Sequence, residues 1–407
     1  MSKEQNNLLI ALDIGSAKTF ALVAEATEAG LRYRGHGMAE SRGSRKGVIV
    51  DLDKAASSIQ RAVEQAEQSA SVQVDHAVVS VGGTHIRGIT SRSGMVLGSR
   101  PREIGREEVR QALDKARSVS LPPDRQVMHL LPQEFILDDQ GAIRDPDGML
   151  AAKLEAQVHM ITAQGAVTQS VITAANRAGV EVTDTVYEGL VAGDCVLKSD
   201  ERELGVVMCD IGAGTTELLV LFEGAVAHSG VVPIGGDHFT NDVAVGLRTP
   251  LAEAEKLKRS FGSAVVTMVP EGNEIEVPAV GDRASRLVPQ RFLAEILEPR
   301  AAELFEHVRD NLRQGGVLDL CAAGSVLTGG GGLLANMAHI AEQTLRKPSR
   351  LGLPAPISKM PAHLGGPEYS VAIGTILYAH RGRLARSRPG DQGFSSKVRS
   401  FFAKVSM

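Results

Sequence analysis

The feature that most constrains the fold is a short motif that occurs twice in the chain. The first copy runs from Leu8 to Val23 and the second from Val206 to Leu221. Each copy has an apolar run, an Asp-Ile-Gly triplet, a small polar turn and a second apolar run, which predicts two strands joined by a tight turn. Two copies of one plan predict two structurally related halves.

The turn of each copy has the composition of a phosphate-binding loop. Glycines let backbone N–H groups approach an anion, and the hydroxyls between 212 and 216 add further donors. Asp13 and Asp210 occupy the same place in the two copies, where their carboxylates could flank one cation. A single copy could equally be a hairpin whose glycines only supply positive φ. The repetition favours one nucleotide site that faces both halves.

Composition limits the class of protein. With 407 residues, 43% of them apolar and 23% charged, and a net charge of −4, the chain is typical of a soluble globular protein with several subdomains and no attraction to nucleic acid. Cys195, Cys209 and Cys321 lack metal-ligand spacing, so we expect reduced thiols and no metal site made by cysteine. We also expect neither a signal peptide nor a membrane-spanning helix.

The pattern along the chain predicts its organisation. A helix capped by Asp51 or Asp53 follows a basic, glycine-containing segment, Arg42 to Gly47. From about 84 the pattern changes to a small α+β insert, which could be an interaction module or a scaffold. The predicted regions are a first half (1–83 with 164–203), the insert (84–163), a second half (204–245 with 317–385), a helical subdomain (246–316), a linker (386–393) and a C-terminal amphipathic helix (394–407).

Other candidate residues lie where strands pass into helices. Glu188 could orient a water molecule toward a phosphate, or it could be an acidic residue that the start of a helix favours. Gly235 and Gly236 precede a helix whose N-terminus can accept a phosphate or sugar oxygen. The run 329–332 consists of four glycines, which predicts close approach by something flat or anionic. Gly374, inside a predicted helix, predicts a tight helix contact between the two halves.

The C-terminal segment has the pattern of a helix that lies in a membrane surface. Its apolar side and its cationic flanks are formed by Phe394, Val398, Phe401, Phe402 and Val405, and by Lys397, Arg399 and Lys404. From Arg381 to Lys404 there are seven Lys or Arg residues against one Asp, which favours anionic lipid. A terminal helix docked on its own core is the alternative, and it usually lacks so basic a linker.

Together these motifs resemble the nucleotide signature of the actin, sugar-kinase and heat-shock chaperone superfamily. The resemblance rests on the motifs at Asp13 and Asp210, P-I-G-G-D-H-F from Pro233, T-G-G-G-G from Thr328 and A-I-G from Ala372. Segments such as H-L-L-P-Q-E-F-I-L-D and L-A-E-I-L-E-P-R resemble the FtsA family of bacterial cell-division proteins. The resemblance implies an α/β fold of two actin-like (RNase H-like) halves around a nucleotide cleft, with the insert and the C-terminal amphipathic helix.

The resemblance also implies the ligands, ATP and Mg²⁺, bound between the halves. Asp13 and Asp210 would lie near the metal and contact it through water. The implied phosphate contacts are Gly15, Ser16, Ala17, Lys18, Gly212, Ala213, Gly214, Thr215 and Thr216. The other implied contacts are Gly235 and Gly236 at the ribose, Glu255 and Lys258 at the adenosine, and Gly329, Gly330, Gly331 and Gly332 under the base. Whether ATP is hydrolysed is left open by these residues.

Partners are implied in the same way. Residues 246–316 resemble the part that takes the acidic C-terminal peptide of FtsZ, with Arg286 and Arg300 at basic positions, although a solvated helix face would explain these arginines as well. The family further implies self-assembly, recruitment of later division proteins and attachment to the cytoplasmic face of the membrane at the division site. The alternatives are a scaffold of type IV pilus assembly and a small-molecule kinase of the same fold.

Overall fold

The computed structural model describes residues 7–281 and 283–387. Its strands, numbered along the chain, are β1 (Leu8–Ile14), β2 (Lys18–Thr27), β3 (Gly30–Glu40), β4 (Ser44–Arg45), β5 (Val48–Ile49), β6 (His76–Val81), β7 (Arg87–Val96), β8 (Arg102–Glu103), β9 (Arg125–Leu137), β10 (Gln140–Ile143), β11 (Leu150–Ala151), β12 (Lys153–Gln164), β13 (Glu181–Tyr187), β14 (Val206–Ile211), β15 (Thr216–Phe222), β16 (Ala225–Val232), β17 (Glu274–Val277), β18 (Arg286–Pro289), β19 (Ser325–Thr328) and β20 (Ser349–Leu351). Its helices are α1 (Leu52–Ala70), α2 (Arg106–Arg117), α3 (Gly165–Arg177), α4 (Glu188–Val196), α5 (Ser199–Leu204), α6 (Gly236–Leu247), α7 (Leu251–Phe261), α8 (Gln290–Gln314), α9 (Met337–Leu345) and α10 (Ser370–Ser387).

The first copy of the repeated motif forms the centre of a five-stranded sheet with the order β13-β6-β1-β2-β3. Strand β1 is antiparallel to β2 and parallel to β6, and all of its residues are buried. Helix α1 packs on β2 and β3, whereas α10 packs on β1, β2 and β6. A strand that is covered in this way needs apolar residues on both faces, which explains the unbroken run L-L-I-A-L. Asp51 caps α1 as predicted, because its side chain accepts a hydrogen bond from the Lys54 amide at 3.1 Å.

The second copy forms a sheet of the same topology, with the order β16-β15-β14-β19-β20. Strand β14 is antiparallel to β15 and parallel to β19, as β1 is to β2 and β6. Both sheets therefore place the Asp-Ile-Gly turn at the end of their central strand. The two related halves predicted from the repeat are present in the structure.

The insert is a four-stranded antiparallel sheet, β10-β9-β12-β7, with α2 packed on one face. Strand β12 alternates as predicted, and its core residues Leu154, Ala156, Val158 and Met160 are fully buried. The opposite face reaches the second half, where His159 Nε2 lies 2.8 Å from Ser229 Oγ of β16. Strands β9 and β12 also contact β13 and α3 of the first half, so the insert contacts both halves of the molecule.

The helical subdomain surrounds α8, which packs against α6, α7 and α9. Its apolar residues form one buried stripe, Leu293, Leu297, Ala301, Leu304, Phe305, Val308 and Leu312. The hairpin of β17 and β18 packs beside α7 and α8. No helix in the part of the chain that the structure describes combines the length and the apolarity needed to cross a membrane.

Helix α10 lies against the first sheet although it follows the second half in sequence. A Cβ atom at Gly374 would lie 2.1 Å from the Val191 carbonyl oxygen of α4, so a tight helix contact is present, but it joins two helices of the first half and not the two halves. The predicted division groups residues 317–385 with the second half, but the buried face of α10 packs on β1, β2 and β6 of the first. The helix continues to Ser387, and the predicted membrane helix 394–407 lies outside the described residues.

Candidate functional site

A cleft of about 480 Å³ lies between the two halves, where both Asp-Ile-Gly turns meet. The predicted site residues that line it are Asp13, Gly15, Ser16, Ala17, Lys18, Glu188, Asp210, Gly212, Ala213, Gly214, Thr215, Gly236, Glu255, Lys258, Gly329, Gly330 and Gly331. Thr216, Gly235 and Gly332 are not among the lining residues, although each is next to one that is. The structure thus brings residues from distant parts of the sequence to one concave site of a size that suits a small ligand.

The first turn, between β1 and β2, carries a cation beside aromatic rings. Lys18 Nζ lies 3.9 Å from the centroid of the Tyr369 ring and 5.7 Å from that of Phe20. Burial lowers the pKa of Lys18, although the nearby Asp13 and Glu368 raise it. Tyr369 lines the cleft and was missed by the sequence analysis, because nothing in the local pattern ties it to the first turn.

The second turn, between β14 and β15, is built against the loop that leads into α6. Gly212 N donates to Thr215 O at 2.9 Å, and Gly236 N donates to Gly212 O at 2.9 Å. A Cβ atom at Gly235 would lie 2.6 Å from Ala213 O. Glycine is therefore required at position 235, where the two loops touch. Gly235 faces this loop contact and does not line the cleft.

Four carboxyl groups gather at the inner end of the cleft. They belong to Asp13, Asp210, Glu188 and Glu217, and all four line the cleft. Burial raises the pKa of each, and for Asp210 and Glu188 this burial, together with smaller contributions from repulsion by the neighbouring acids, takes the pKa well above the usual range. For Glu217 the pKa rises to about 7, although hydrogen bonds from Thr215 and Gly83 lower it. Such a group of acids is stabilised by a cation.

Glu217 was missed by the sequence analysis. Its carboxylate accepts hydrogen bonds from Gly83 N at 3.0 Å and Thr215 Oγ1 at 2.9 Å, so it joins the two halves across the cleft. It also pairs in register with Asp210 across the hairpin. A lone charge inside the apolar run T-E-L-L-V-L was the available signal, because a strand buried on both faces rarely carries an unneeded carboxylate.

The carboxyl cluster suits a hydrated magnesium ion bound together with phosphate. Within residues 7–281 and 283–387, no group of three or more His, Cys, Asp or Glu stands close enough together to hold a metal by itself. Magnesium commonly uses one or two carboxylates and completes its shell with waters and phosphate oxygens. Asp13 and Asp210 could serve as those carboxylates, and the ion would supply charge neutralisation for the phosphates and for the acids.

The opposite wall combines an ion-pair network with apolar side chains. Lys258 Nζ lies 2.7 Å from Glu255 Oε2, and it donates to Thr240 Oγ1 at 2.7 Å and to Gly236 O at 3.0 Å. Burial raises the pKa of Glu255, but hydrogen bonds from Lys258 and Thr240 outweigh it and hold that pKa below its usual value. The neighbouring apolar lining residues are Phe239, Leu333, Leu334, Met337 and Val371. This wall can receive a flat group with polar edges.

The four-glycine run passes close to the second hairpin. A Cβ atom at Gly329 would lie 2.3 Å from Asp210 Oδ1, and one at Gly331 would lie 2.4 Å from Ile211 Cγ2. Gly329 also has a φ of 78°, which favours glycine. Packing against β14 therefore explains two of the glycines, while Gly330 faces the cleft.

Glu188 begins α4 directly after β13 and lies beside the exit of β6. A Cβ atom at Gly82 would lie 2.1 Å from Glu188 Oε2, so that strand end must be a glycine. The side chain of Glu188 is therefore held in the cleft by its close packing against Gly82.

Arg286 and Arg300 lie in the helical subdomain and do not line the cleft. Arg286 Nη2 donates to Leu247 O, the end of α6, at 2.7 Å. Arg300 Nε lies 2.6 Å from Asp242 Oδ2, and its Nη1 pairs with Glu303. Hydrogen bonding to Asp242 raises the pKa of Arg300. The charge of Arg300 is thus already compensated within the chain.

Comparisons with known sequences match this architecture. A family model described as Cell division protein FtsA matches residues 207–374, and one described as the SHS2 domain inserted in FtsA matches residues 83–162. The Cell division protein FtsA of Pseudomonas aeruginosa is 39% identical over 378 residues, covering 93% of this chain and 90% of that protein. That of Escherichia coli strain K12 is 34% identical over 406 residues, covering 98% and 96%.

Solved structures share the fold at low identity. The PilM–PilN type IV pilus biogenesis complex has a TM-score of 0.64 at 16% identity and covers 91% of this chain and 98% of that chain. MreB 5 of Spiroplasma citri bound to AMPPNP has a TM-score of 0.56 at 15% identity, with coverage of 94% and 99%. The MamK double helical filament has a TM-score of 0.50 at 13% identity, with coverage of 94% and 99%. The predicted actin-like fold of two lobes with an inserted domain is confirmed.

Proposed function

This chain belongs to the FtsA family of cell division proteins, and on that premise we propose that it binds ATP with Mg²⁺ and connects FtsZ filaments to the cytoplasmic membrane. The observation that carries nucleotide binding is the meeting of both Asp-Ile-Gly turns and four carboxyl groups at one cleft. The pilus-scaffold alternative has no comparable support, because the PilM–PilN structure shares only the fold.

The cleft supports a definite arrangement of the nucleotide. Backbone N–H groups of the two turns would hold the phosphates, with Lys18 as the nearby cation. The adenosine would lie between the Glu255 and Lys258 network and the apolar wall at Leu334 and Met337. MreB 5, which shares this fold, was solved with AMPPNP, and that supports the choice of an adenine nucleotide.

Glu188 is our candidate for orienting a water molecule toward the terminal phosphate. Burial, and then repulsion from the neighbouring acids, raises the pKa of Glu188 well above its usual value, so a nearby cation would favour its ionised form. Asp13 and Asp210 would hold the Mg²⁺ ion, which would supply positive charge beside the Glu188 carboxyl. An ionised Glu188 could then accept a proton from the water molecule that it orients.

Isothermal titration of the purified chain with ATP, ADP and GTP, each with and without Mg²⁺, tests the nucleotide assignment. We expect saturable binding of the adenine nucleotides that weakens when Mg²⁺ is removed. Absence of binding by the folded wild-type chain at millimolar ATP would contradict the proposal.

The FtsZ peptide is proposed to dock on residues 246–316, where Arg286 is the better-placed cation. Among the described residues Arg286 has no carboxylate within ion-pair distance, whereas Arg300 has two. An acidic peptide would have to displace Asp242 and Glu303 to use Arg300. The exposed apolar side chain of Leu287, next to Arg286, could cover the peptide's apolar residues.

Binding of a labelled FtsZ C-terminal peptide to the Arg286→Glu and Arg300→Gln variants tests whether Arg286 contributes more than Arg300. We expect Arg286→Glu to weaken binding by tenfold or more and Arg300→Gln to have a smaller effect. Thermal unfolding of both variants serves as the folding control. A larger loss in Arg300→Gln than in Arg286→Glu would place the dock at Arg300 instead.

Membrane attachment is proposed for residues 394–407, which lie outside the described residues. A short amphipathic segment binds lipid weakly and reversibly, so several tails joined in one assembly would bind much more tightly. The MamK filament has this fold, which supports self-assembly as the means of joining them. The full chain should sediment with anionic phospholipid vesicles, whereas a chain that ends at residue 393 should stay in the supernatant. Neutral vesicles are the matched control, and equal sedimentation of the two chains would refute the assignment.

A further inference from the structure

The small hairpin of β4 and β5 brings the basic segment 42–47 to the phosphate end of the cleft. Its tip consists of Lys46 and Gly47, and Gly47 lines the cleft. This segment is basic, yet none of the nucleotide contacts predicted from the sequence lies in it. Its position therefore needs an explanation.

The tip is fastened to the first phosphate turn. Ser44 Oγ donates to Gly15 O at 3.1 Å, and Gly47 N donates to Ser16 Oγ at 3.4 Å. A Cβ atom at Gly47 would lie 2.2 Å from Gly82 O at the end of β6. The tip thus has a fixed place within the first half.

The same tip touches the second phosphate turn. A Cβ atom at Gly214 would lie 2.9 Å from Lys46 Cα and 3.0 Å from Ser16 Oγ. Lys46 belongs to the first half and Gly214 to the second, so this contact closes the cleft at its phosphate end. A group bound between the turns must lie next to the Lys46 backbone.

The backbone of Lys46 does not favour a lysine. Its φ is 51° and that of Gly47 is 74°, as in a two-residue hairpin turn with both residues left-handed. Glycine or asparagine would be the ordinary choice at the first of these positions. The turn geometry therefore leaves the lysine side chain unexplained.

The ammonium group of Lys46 has no carboxylate partner within the described ranges. Among the residues that the structure describes, its Nζ donates only to Pro233 O, across the cleft in the second half, at 3.5 Å. By contrast, Lys54 pairs with Asp51 at 2.8 Å and Lys258 pairs with Glu255 at 2.7 Å. Lys46 is thus a cation with an uncompensated charge beside a proposed anion site.

We propose that Lys46 contacts the terminal phosphate of the bound nucleotide and makes the site sensitive to the number of phosphates. This inference rests on the proposed binding of a nucleotide in the cleft. The anion would replace the Pro233 carbonyl as the partner of the ammonium, since a charge-assisted bond to phosphate is stronger than a long bond to a neutral carbonyl. The contact would join the first half to a ligand that the second half also holds.

The test compares affinities for Mg-ATP, Mg-ADP and AMP in the wild-type chain, Lys46→Gly, Lys46→Arg and the control Lys54→Ala. Glycine suits the left-handed backbone, so Lys46→Gly should fold with unchanged or higher thermal stability without nucleotide. We expect Lys46→Gly to weaken the affinity for Mg-ATP by tenfold or more, the affinity for Mg-ADP by less, and the affinity for AMP by less than twofold. Lys46→Arg should recover most of the ATP affinity, and Lys54→Ala should match the wild type.

Two outcomes overturn the inference while leaving nucleotide binding in place. Equal weakening of ATP, ADP and AMP in Lys46→Gly would show a structural effect on the whole cleft. Unchanged affinities would show that the ammonium does not reach the phosphates. Failure of the wild-type chain to bind any nucleotide overturns the proposed function, and the inference falls with it.

Discussion

The two hairpins of the repeat share one fold and differ in chemistry. In the first, Asp13 pairs in register with Phe20, and Lys18 lies over the Tyr369 ring. In the second, Asp210 pairs with Glu217, whose carboxylate is bonded to the other half through Gly83 N. One hairpin is cationic and aromatic and the other is acidic. The repeat therefore supplies a common framework, while the departures from it define the two sides of the site.

The largest effect is expected from the residues that the hairpins have in common. Asp13→Asn and Asp210→Asn should each weaken Mg-ATP binding by about a thousandfold, or about 4 kcal/mol. Each removes a carboxylate that could balance the ion, so the loss should largely disappear when ATP is titrated without Mg²⁺. Isothermal titration measures both cases. A loss in only one of the two variants would show that the hairpins do not share the metal.

The next largest difference between the two hairpins is expected in the pH dependence of stability, because only the second hairpin carries Glu217. Its folded pKa, about 7, lies above the usual value of 4.5. The protonated carboxyl is thus favoured in the folded state, so the contribution of Glu217 to stability is fully present below pH 4.5 and is lost as the pH rises through 7. The nucleotide-free chain should lose on the order of 3 kcal/mol across this range from this group. Urea unfolding at several pH values between about 5 and 8 measures the slope of the free energy of unfolding against pH.

Glu217→Gln should flatten that pH dependence, because the amide cannot ionise but its oxygen still accepts from Gly83 N. Phe20→Leu, at the equivalent place in the first hairpin, is the matched control and should leave the slope unchanged. If Glu217→Gln keeps the wild-type slope, another acid of the cluster carries the titration.

The turns themselves should differ in their tolerance of a side chain. Ala17 and Gly214 occupy equivalent places, but a Cβ atom at Gly214 would lie 2.9 Å from Lys46 Cα. Gly214→Ala should lower the free energy of unfolding by about 1–3 kcal/mol, because backbone atoms must move. Ala17→Gly should cost no more than about 1 kcal/mol, from backbone entropy alone. Thermal unfolding of the pair is the measurement, and equal costs would refute the contact.

The smallest effect is expected at the aromatic contact of the first hairpin. Tyr369→Leu removes the ring under Lys18 and should lower the free energy of unfolding by about 1 kcal/mol or less. Tyr369→Phe keeps the ring and should be close to the wild type. Chemical denaturation of both variants distinguishes them, and an equal loss in the two would assign the effect to the hydroxyl group.

Local patterns predicted the individual elements well. The Asp51 cap and the buried alternation in β12 are present as predicted, because each depends on residues close in sequence. The two hairpins could be predicted for the same reason, since a strand, a glycine turn and a second strand occupy one short segment. Most of the predicted nucleotide residues line one cleft, because the repeat also indicated that the two turns face each other.

Contacts between distant segments could not be predicted in this way. Nothing near Glu217 in sequence indicates that it bonds to Gly83, and nothing near Arg300 indicates its pairing with Asp242. The same holds for α10, which returns to the first sheet after the chain has built the second half. These contacts depend on where separate elements pack.

By itself, the sequence determined two related halves, their phosphate-type turns, the insert and the amphipathic pattern of the C-terminal segment, because periodicity and turn chemistry are local properties of the chain. Only the tertiary structure decided which acids share the cleft, that Arg300 is already paired, and that Lys46 lies beside Gly214. The physical reason is that burial and electrostatic interaction depend on distances in space, and these are established only when the two halves pack together.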